Sequence, residues 1–179
     1  MNISLPSRRA VLMIGTVLLG IALIAGLPWL SPTRGVERAW QGTLSALADN
    51  DLEKFASYLD TNYHDGFGLD KSGAVALAKT VRGQFLLCTI GREQAELVLD
   101  PGNRTATSRA LIRLDGQGSP VATAVIQASA SSTTPTIFRW RRGSWKPWDW
   151  TLVALDNAEA TKGIGQLQRE LNSFGAGLP

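Results

Sequence analysis

At 179 residues the chain has room for one folded domain and an appendage, and not for two full domains. At 44% hydrophobic and 18% charged, it is too apolar and too weakly charged to be mainly disordered. Arg8 and Arg9 precede a long apolar run, and beyond them sixteen cations face fifteen carboxylates, a balance that excludes a basic nucleic-acid-binding domain.

Ala10 to Leu30 reads AVLMIGTVLLGIALIAGLPWL, uncharged and close to the roughly 20 residues a helix needs to cross a bilayer. Arg8 and Arg9 before it hold the N-terminus, residues 1–9, on the cytoplasmic side and direct the rest of the chain outward. Trp29 then falls at the far interface. Ile24-Ala25-Gly26 is a poor cleavage site and no cysteine follows it, so the expectation is an uncleaved anchor in the inner (plasma) membrane, with an exported soluble chain as the alternative. Ser7-Arg8-Arg9-Ala10-Val11-Leu12 also resembles the core of a twin-arginine export signal.

Residues 31–35 are a turn-rich linker. Val36, Trp40, Leu44 and Leu47 then recur at helical spacing. Asp51 is placed to cap a second, short helix with Leu52, Phe55 and Leu59 on one face. Asp70-Lys71-Ser72 opens a third helix carrying Ala74, Leu77, Ala78, Val81 and Phe85. Between them Tyr63-His64-Asp65 predicts a short strand, which puts Tyr63 and Asp65 on one face and His64 on the other.

After Phe85 the period becomes two. Asp100-Pro101-Gly102-Asn103 turns a hairpin whose returning strand buries Ala106, Ser108, Ala110, Ile112 and Leu114. Val121 to Ala130 is read as a further, alanine-rich strand. Ile137–Arg141 and Ser144–Leu152 are read as a hairpin around the two-residue loop Arg142-Gly143, with Trp140 opposite Trp145 and Arg139 opposite Lys146. Residues 156–179 form a tail in which Ala160, Ile164, Leu167, Leu171 and Phe174 make a helical stripe that could pack on the domain, on a second copy or on the membrane.

The order of elements from 36 to 155 resembles the NTF2-like superfamily, which includes ketosteroid isomerase and SnoaL-type polyketide cyclases. The residues that carry it are Trp40, Ala48-Asp49-Asn50-Asp51-Leu52, Tyr63-His64-Asp65 through Gly68, Leu97 to Asn103, and Trp140 to Lys146. The resemblance implies an α+β cone, three N-terminal helices on a strongly bent antiparallel sheet, with a pocket between them. Such domains serve as enzymes, binding modules and membrane-anchored scaffolds, including components of type IV secretion systems.

For an isomerase, dehydratase or cyclase, Asp65 stands near the family's base, with His64 or Tyr63 assisting. The family's helical tyrosine falls at Thr43, which cannot replace it, and this counts against the activity. Trp40, Trp148 and Asp149 are candidate ligand contacts; Asp149 also reads as a partner for the nearby arginines. Cys88, in the apolar run Phe85-Leu86-Leu87-Cys88, reads as a small core residue rather than a nucleophile. One cysteine and one histidine assemble no His/Cys zinc site, and no phosphate loop or dinucleotide fingerprint is present, so neither metal nor cofactor is expected. The reading is a membrane-anchored, extracytoplasmic, non-catalytic module for a small ligand, a membrane-protein partner or a second copy, with the enzyme as the alternative. Its partners are the lipid bilayer through residues 10–30, but no nucleic acid.

Overall fold

The computed structural model describes residues 31–159. The anchor at 10–30 and the stripe at 160–174 lie outside the described residues. Among the described residues no helix is long and apolar enough to cross a membrane.

Three helices come first: α1 (Pro32–Ala48), α2 (Leu52–Tyr58) and α3 (Lys71–Arg82). Pro32 opens α1, where its missing N–H costs nothing, so residues 32–35, expected as linker, belong to the helix, and Val36, Trp40 and Leu44 line its buried face. Asp51 caps α2 through the Lys54 amide at 3.0 Å. Asp70 caps α3 through the Gly73 amide at 2.7 Å.

The strands follow as β1 (Phe85–Leu99), β2 (Thr105–Gly118), β3 (Thr136–Arg142) and β4 (Trp150–Asp156), all antiparallel and in sequence order across one sheet. Leu99 pairs with Ala106 around the expected turn. Three register irregularities interrupt the sheet, the first between Phe85 and Leu87 of β1. Gln94 and Ala95 oppose Ala110 alone, with Gln94 at φ 51°, and the β3–β4 register slips between Arg139 and Trp140. The concave face receives α1, where Trp40 meets Phe138 at 5.4 Å between ring centroids and Phe138 stacks on Trp140. Residues 59–66 run beside β4: Asp60, His64 and Gly66 donate their amides to Leu152, Val153 and Leu155.

Two sequence expectations are corrected. Pro120–Ser131 is a helix, α4, not a strand: Ser119 accepts from the Ala122 amide, Pro120 takes the first turn, and alanine is the strongest helix former. The closing hairpin has a long loop, 143–149, in place of two residues. Arg142 pairs with Trp150 and Trp140 with Leu152. Trp145 therefore stands in solvent, 79% exposed, and Arg139 lies opposite Ala154 rather than Lys146. Proline has no N–H for a ladder, and Pro147 sits where the second strand was expected.

Candidate functional site

None of the residues of α3 is fully buried, although Ala74, Leu77, Ala78 and Val81 recur at core spacing. The reason is a cavity of about 310 Å³ between α3, the second half of α1, α2 and the far end of the sheet. Leu44, Leu47, Phe55, Ile90, Phe138 and Leu155 supply much of the rest of its wall. The surface is almost wholly apolar.

Few polar side chains reach it. Asp65, buried at 9% exposure, accepts the phenol hydrogen of Tyr63 at 3.2 Å and the amides of Phe67 and Leu69 at 3.0 and 2.8 Å. Gly68, at φ 80°, makes that tight loop feasible. Burial drives the Tyr63 phenol far above its ordinary pKa, and the Asp65 charge and hydrogen bond push the same way, so Tyr63 keeps its proton. Thr43 donates to the Ala39 carbonyl at 2.7 Å, as a helical threonine does when buried. Thr136 accepts from Asn157 at 2.9 Å. At the other end Arg82 donates to the carbonyls of Ala48 (3.1 Å) and Phe85 (2.7 Å), closing the C-terminus of α1. Burial raises the Cys88 thiol pKa, opposed by Arg82, so Cys88 is not an activated nucleophile; it is half-buried on the cavity wall, and Leu86 and Leu87 beside it are exposed rather than core.

The sequence candidates divide. Asp65 and Tyr63 meet at the cavity. His64 is exposed on the opposite face, bridged to Asp70 through the backbone. Trp40 is fully buried beneath the Arg92 guanidinium at 4.3 Å, in the core rather than on the cavity wall. Trp148, 53% exposed, and Asp149 belong to the loop 143–149, remote from the cavity. The arginines of the closing hairpin are mostly engaged. Arg141 grips Asp60 through Nη2 at 2.6 and 2.7 Å, Arg139 pairs with Asp156 at 3.4 Å, and Arg142 braces loop carbonyls. For Asp60 burial acts to raise the pKa, but the Asn62 amide, Arg141 and Thr151 outweigh it and hold the carboxyl below its usual range. Sequence reasoning missed Arg82 and Thr136 at the cavity; nothing in their spacing separates them from surface residues. Among the described residues no cluster of three or more His, Cys, Asp or Glu side chains could hold a metal ion.

Neither a protein-family model nor a curated protein matches the sequence. Solved structures do match in fold. Bd1075 of Bdellovibrio bacteriovorus aligns at a TM-score of 0.52 and 10% identity over 69% of this chain, which spans only 38% of Bd1075. A candidate aromatic ring hydroxylase from Novosphingobium aromaticivorans aligns at 0.52 and 13% identity, over 69% of this chain and 85% of that one. An NTF2-like protein of unknown function from Pseudomonas putida aligns at 0.50 and 11% identity, over 69% and 82%. At such identities the likeness is one of fold and not of activity. On these alignments, and on its helices packed against one bulged antiparallel sheet, the chain has the NTF2-like fold.

Proposed function

We propose that the chain is a membrane-anchored, extracytoplasmic NTF2-like module that holds a small apolar molecule in the cavity without transforming it. The observation that carries this reading is the cavity itself: almost wholly apolar, with the side chains of Asp65, Tyr63, Thr43, Thr136 and Arg82 that reach it each hydrogen-bonded within the protein. A site of this size and character takes up a ligand by burial. Acid–base chemistry needs a group free to reach a substrate, whereas the Asp65 carboxyl already accepts three hydrogen bonds from the protein itself. The anchor rests on the apolar run at 10–30.

The test is extraction and mass spectrometry of small molecules carried by the full chain, wild type against Ala78→Phe, which fills the cavity from α3. Wild type should carry an apolar compound that the variant lacks, with the melting temperature kept. Equal amounts in both would refute the binding site. Loss of the chain from membranes in alkaline carbonate would refute the anchor.

A second reading is favoured by one feature, the Asp65–Tyr63 pair at the end of an apolar cavity, an arrangement suited to an isomerase, dehydratase or cyclase. Asp65→Asn keeps an oxygen to accept the Phe67 and Leu69 amides while removing the base. Loss of turnover of an identified metabolite in that folded variant would establish the enzyme and displace the binding module.

A further inference from the structure

The end of the sheet opposite the cavity carries two exposed tryptophans, Trp145 at 79% and Trp148 at 53%. They sit in loop 143–149, and that loop is braced. Arg142 donates to the carbonyls of Ser144 (2.9 Å) and Trp145 and to Asn103 of the β1–β2 turn (3.4 Å), and Gly143 donates to Asp149 at 2.9 Å. Trp150 Nε1 donates to the Pro147 carbonyl at 2.9 Å. A fixed loop that displays two indoles to water is unexplained by the fold, since a folded monomer gains by covering them.

Two further observations name the cover. The first is charge. Arg104 borders the same cleft as Trp145, Lys146 lies between the tryptophans, and Arg34 is exposed in the first turn of α1; among the described residues no ion pair engages any of the three, against the carboxylates of Asp100 and Asp149 at that end. The second is the tether. Gly35 packs so closely on the loop that a Cβ there would fall 1.8 Å from the Pro147 carbonyl oxygen. Leu30, the last residue of the apolar run, is five residues earlier. Two extended residues and one helical turn span at most on the order of 12 Å. The loop is therefore held within reach of the headgroups wherever residues 10–30 cross the bilayer.

We infer that loop 143–149 with Arg104 is a membrane-docking surface, in which Trp145 and Trp148 enter the headgroup region of the bilayer that holds residues 10–30 while Arg104 and Lys146 meet anionic lipid phosphates. Indoles favour that region, and each nearby cation adds attraction to an anionic leaflet. The inference rests on the anchor proposed above and adds to it a fixed orientation of the domain.

The test uses the full chain in vesicles of phosphatidylcholine and phosphatidylglycerol, with and without lipids brominated near the headgroup. The readout is the emission of Trp145 and Trp148, taken as the difference between wild type and Trp145→Ser/Trp148→Ser. Both residues are exposed, so the variant should keep the far-ultraviolet circular dichroism of the wild type. Docking predicts that brominated lipid lowers this difference emission by about twofold, and that Arg104→Glu/Lys146→Glu abolishes the quenching. Unquenched difference emission from a chain that resists alkaline carbonate would overturn the docking surface and leave the anchor standing. Release by carbonate would overturn the anchor and the docking with it. Difference emission unquenched in pure lipid but shielded from iodide in native membranes would assign the loop to a protein partner and also overturn the inference.

Discussion

Replacing Arg141 by alanine tests whether the Asp60 ion pair joins the helices to the sheet by charge or only by packing. The Asp60 side chain is 8% exposed and the Arg141 side chain 47%. The guanidinium approaches both carboxylate oxygens, at 2.6 and 2.7 Å from Nη2 and 3.2 Å from Nε, and Thr151, the Asn62 amide and Thr61 donate as well, at 3.0, 2.9 and 3.5 Å. Charge-assisted hydrogen bonds contribute about 1.5–3 kcal/mol. Breaking a fully buried pair costs about 3–5 kcal/mol, but the half-exposed arginine lets water replace part of it, so about 2 kcal/mol is expected at neutral pH. The pH dependence separates charge from packing. In the wild type the folded-state pKa of Asp60 lies below its unfolded value, so its contribution is complete above the unfolded value near about 3.9 and is lost as the pH falls through the folded value. Without Arg141 burial remains and acts to raise that pKa. The gap between wild type and Arg141→Ala should therefore narrow as the pH falls through the carboxylate range. Urea denaturation of residues 31–179 at a series of pH values measures it. A gap that stays constant with pH, or one below about 0.5 kcal/mol at neutral pH, would refute the electrostatic account.

Ser108, fully buried on β2, accepts from Trp140 Nε1 at 2.8 Å, so Ser108→Ala should cost about 1–3 kcal/mol by stranding that donor. In a double-mutant cycle with Trp140→Phe the two losses should fall short of additive; additive losses would show that the bond contributes nothing. Gly35→Ala should destabilise by about 2–3 kcal/mol, because the new methyl meets a backbone carbonyl that cannot rotate aside. Its signature is a thermal melt lowered together with raised protease sensitivity in loop 143–149, and a melt unchanged from wild type would show that α1 and the loop separate freely.

The helices were legible because their signals are local. Asp51 and Asp70 cap where a short acceptor precedes an apolar stripe, and Val36, Trp40 and Leu44 face inward as their spacing requires. The face rule for a strand placed Tyr63 and Asp65 together and His64 outside. The 120–131 segment follows two strands and is rich in small residues, yet Ser119-Pro120 before an alanine-rich run is a helix start, and that local signal prevails. Arg142-Gly143 misleads, since a turn dipeptide says nothing of the seven-residue loop that Pro147 imposes. Neither the cavity nor the Asp60–Arg141 pair has a local signal. Both arise between elements distant in sequence, and apolar residues that line a gap read the same as those that fill a core. Arg141 lies 81 residues from the acid it holds.

The two ends of the sheet give the domain a direction. Ile90, Ile112, Leu114 and Thr136 line the cavity, whereas Gly102, Arg104 and Arg142 border the cleft beside loop 143–149. From Arg142 to Phe138 along β3, the distance from the cleft to the cavity wall on that strand, is four residues, or roughly 13 Å at strand rise. The start of α1 sits at the loop end, and its second half, Thr43 to Leu47, at the cavity. If the loop end rests on the bilayer, the cavity is held off it by part of the length of the strands. An apolar ligand would then arrive from the aqueous side or from a carrier, and not by sliding out of the lipid. Lipid-soluble and water-soluble carriers of one apolar probe separate the two routes. Uptake that is fast from the aqueous carrier and slow from vesicles fits this orientation. The reverse order would mean that the cavity, and not the loop, faces the membrane.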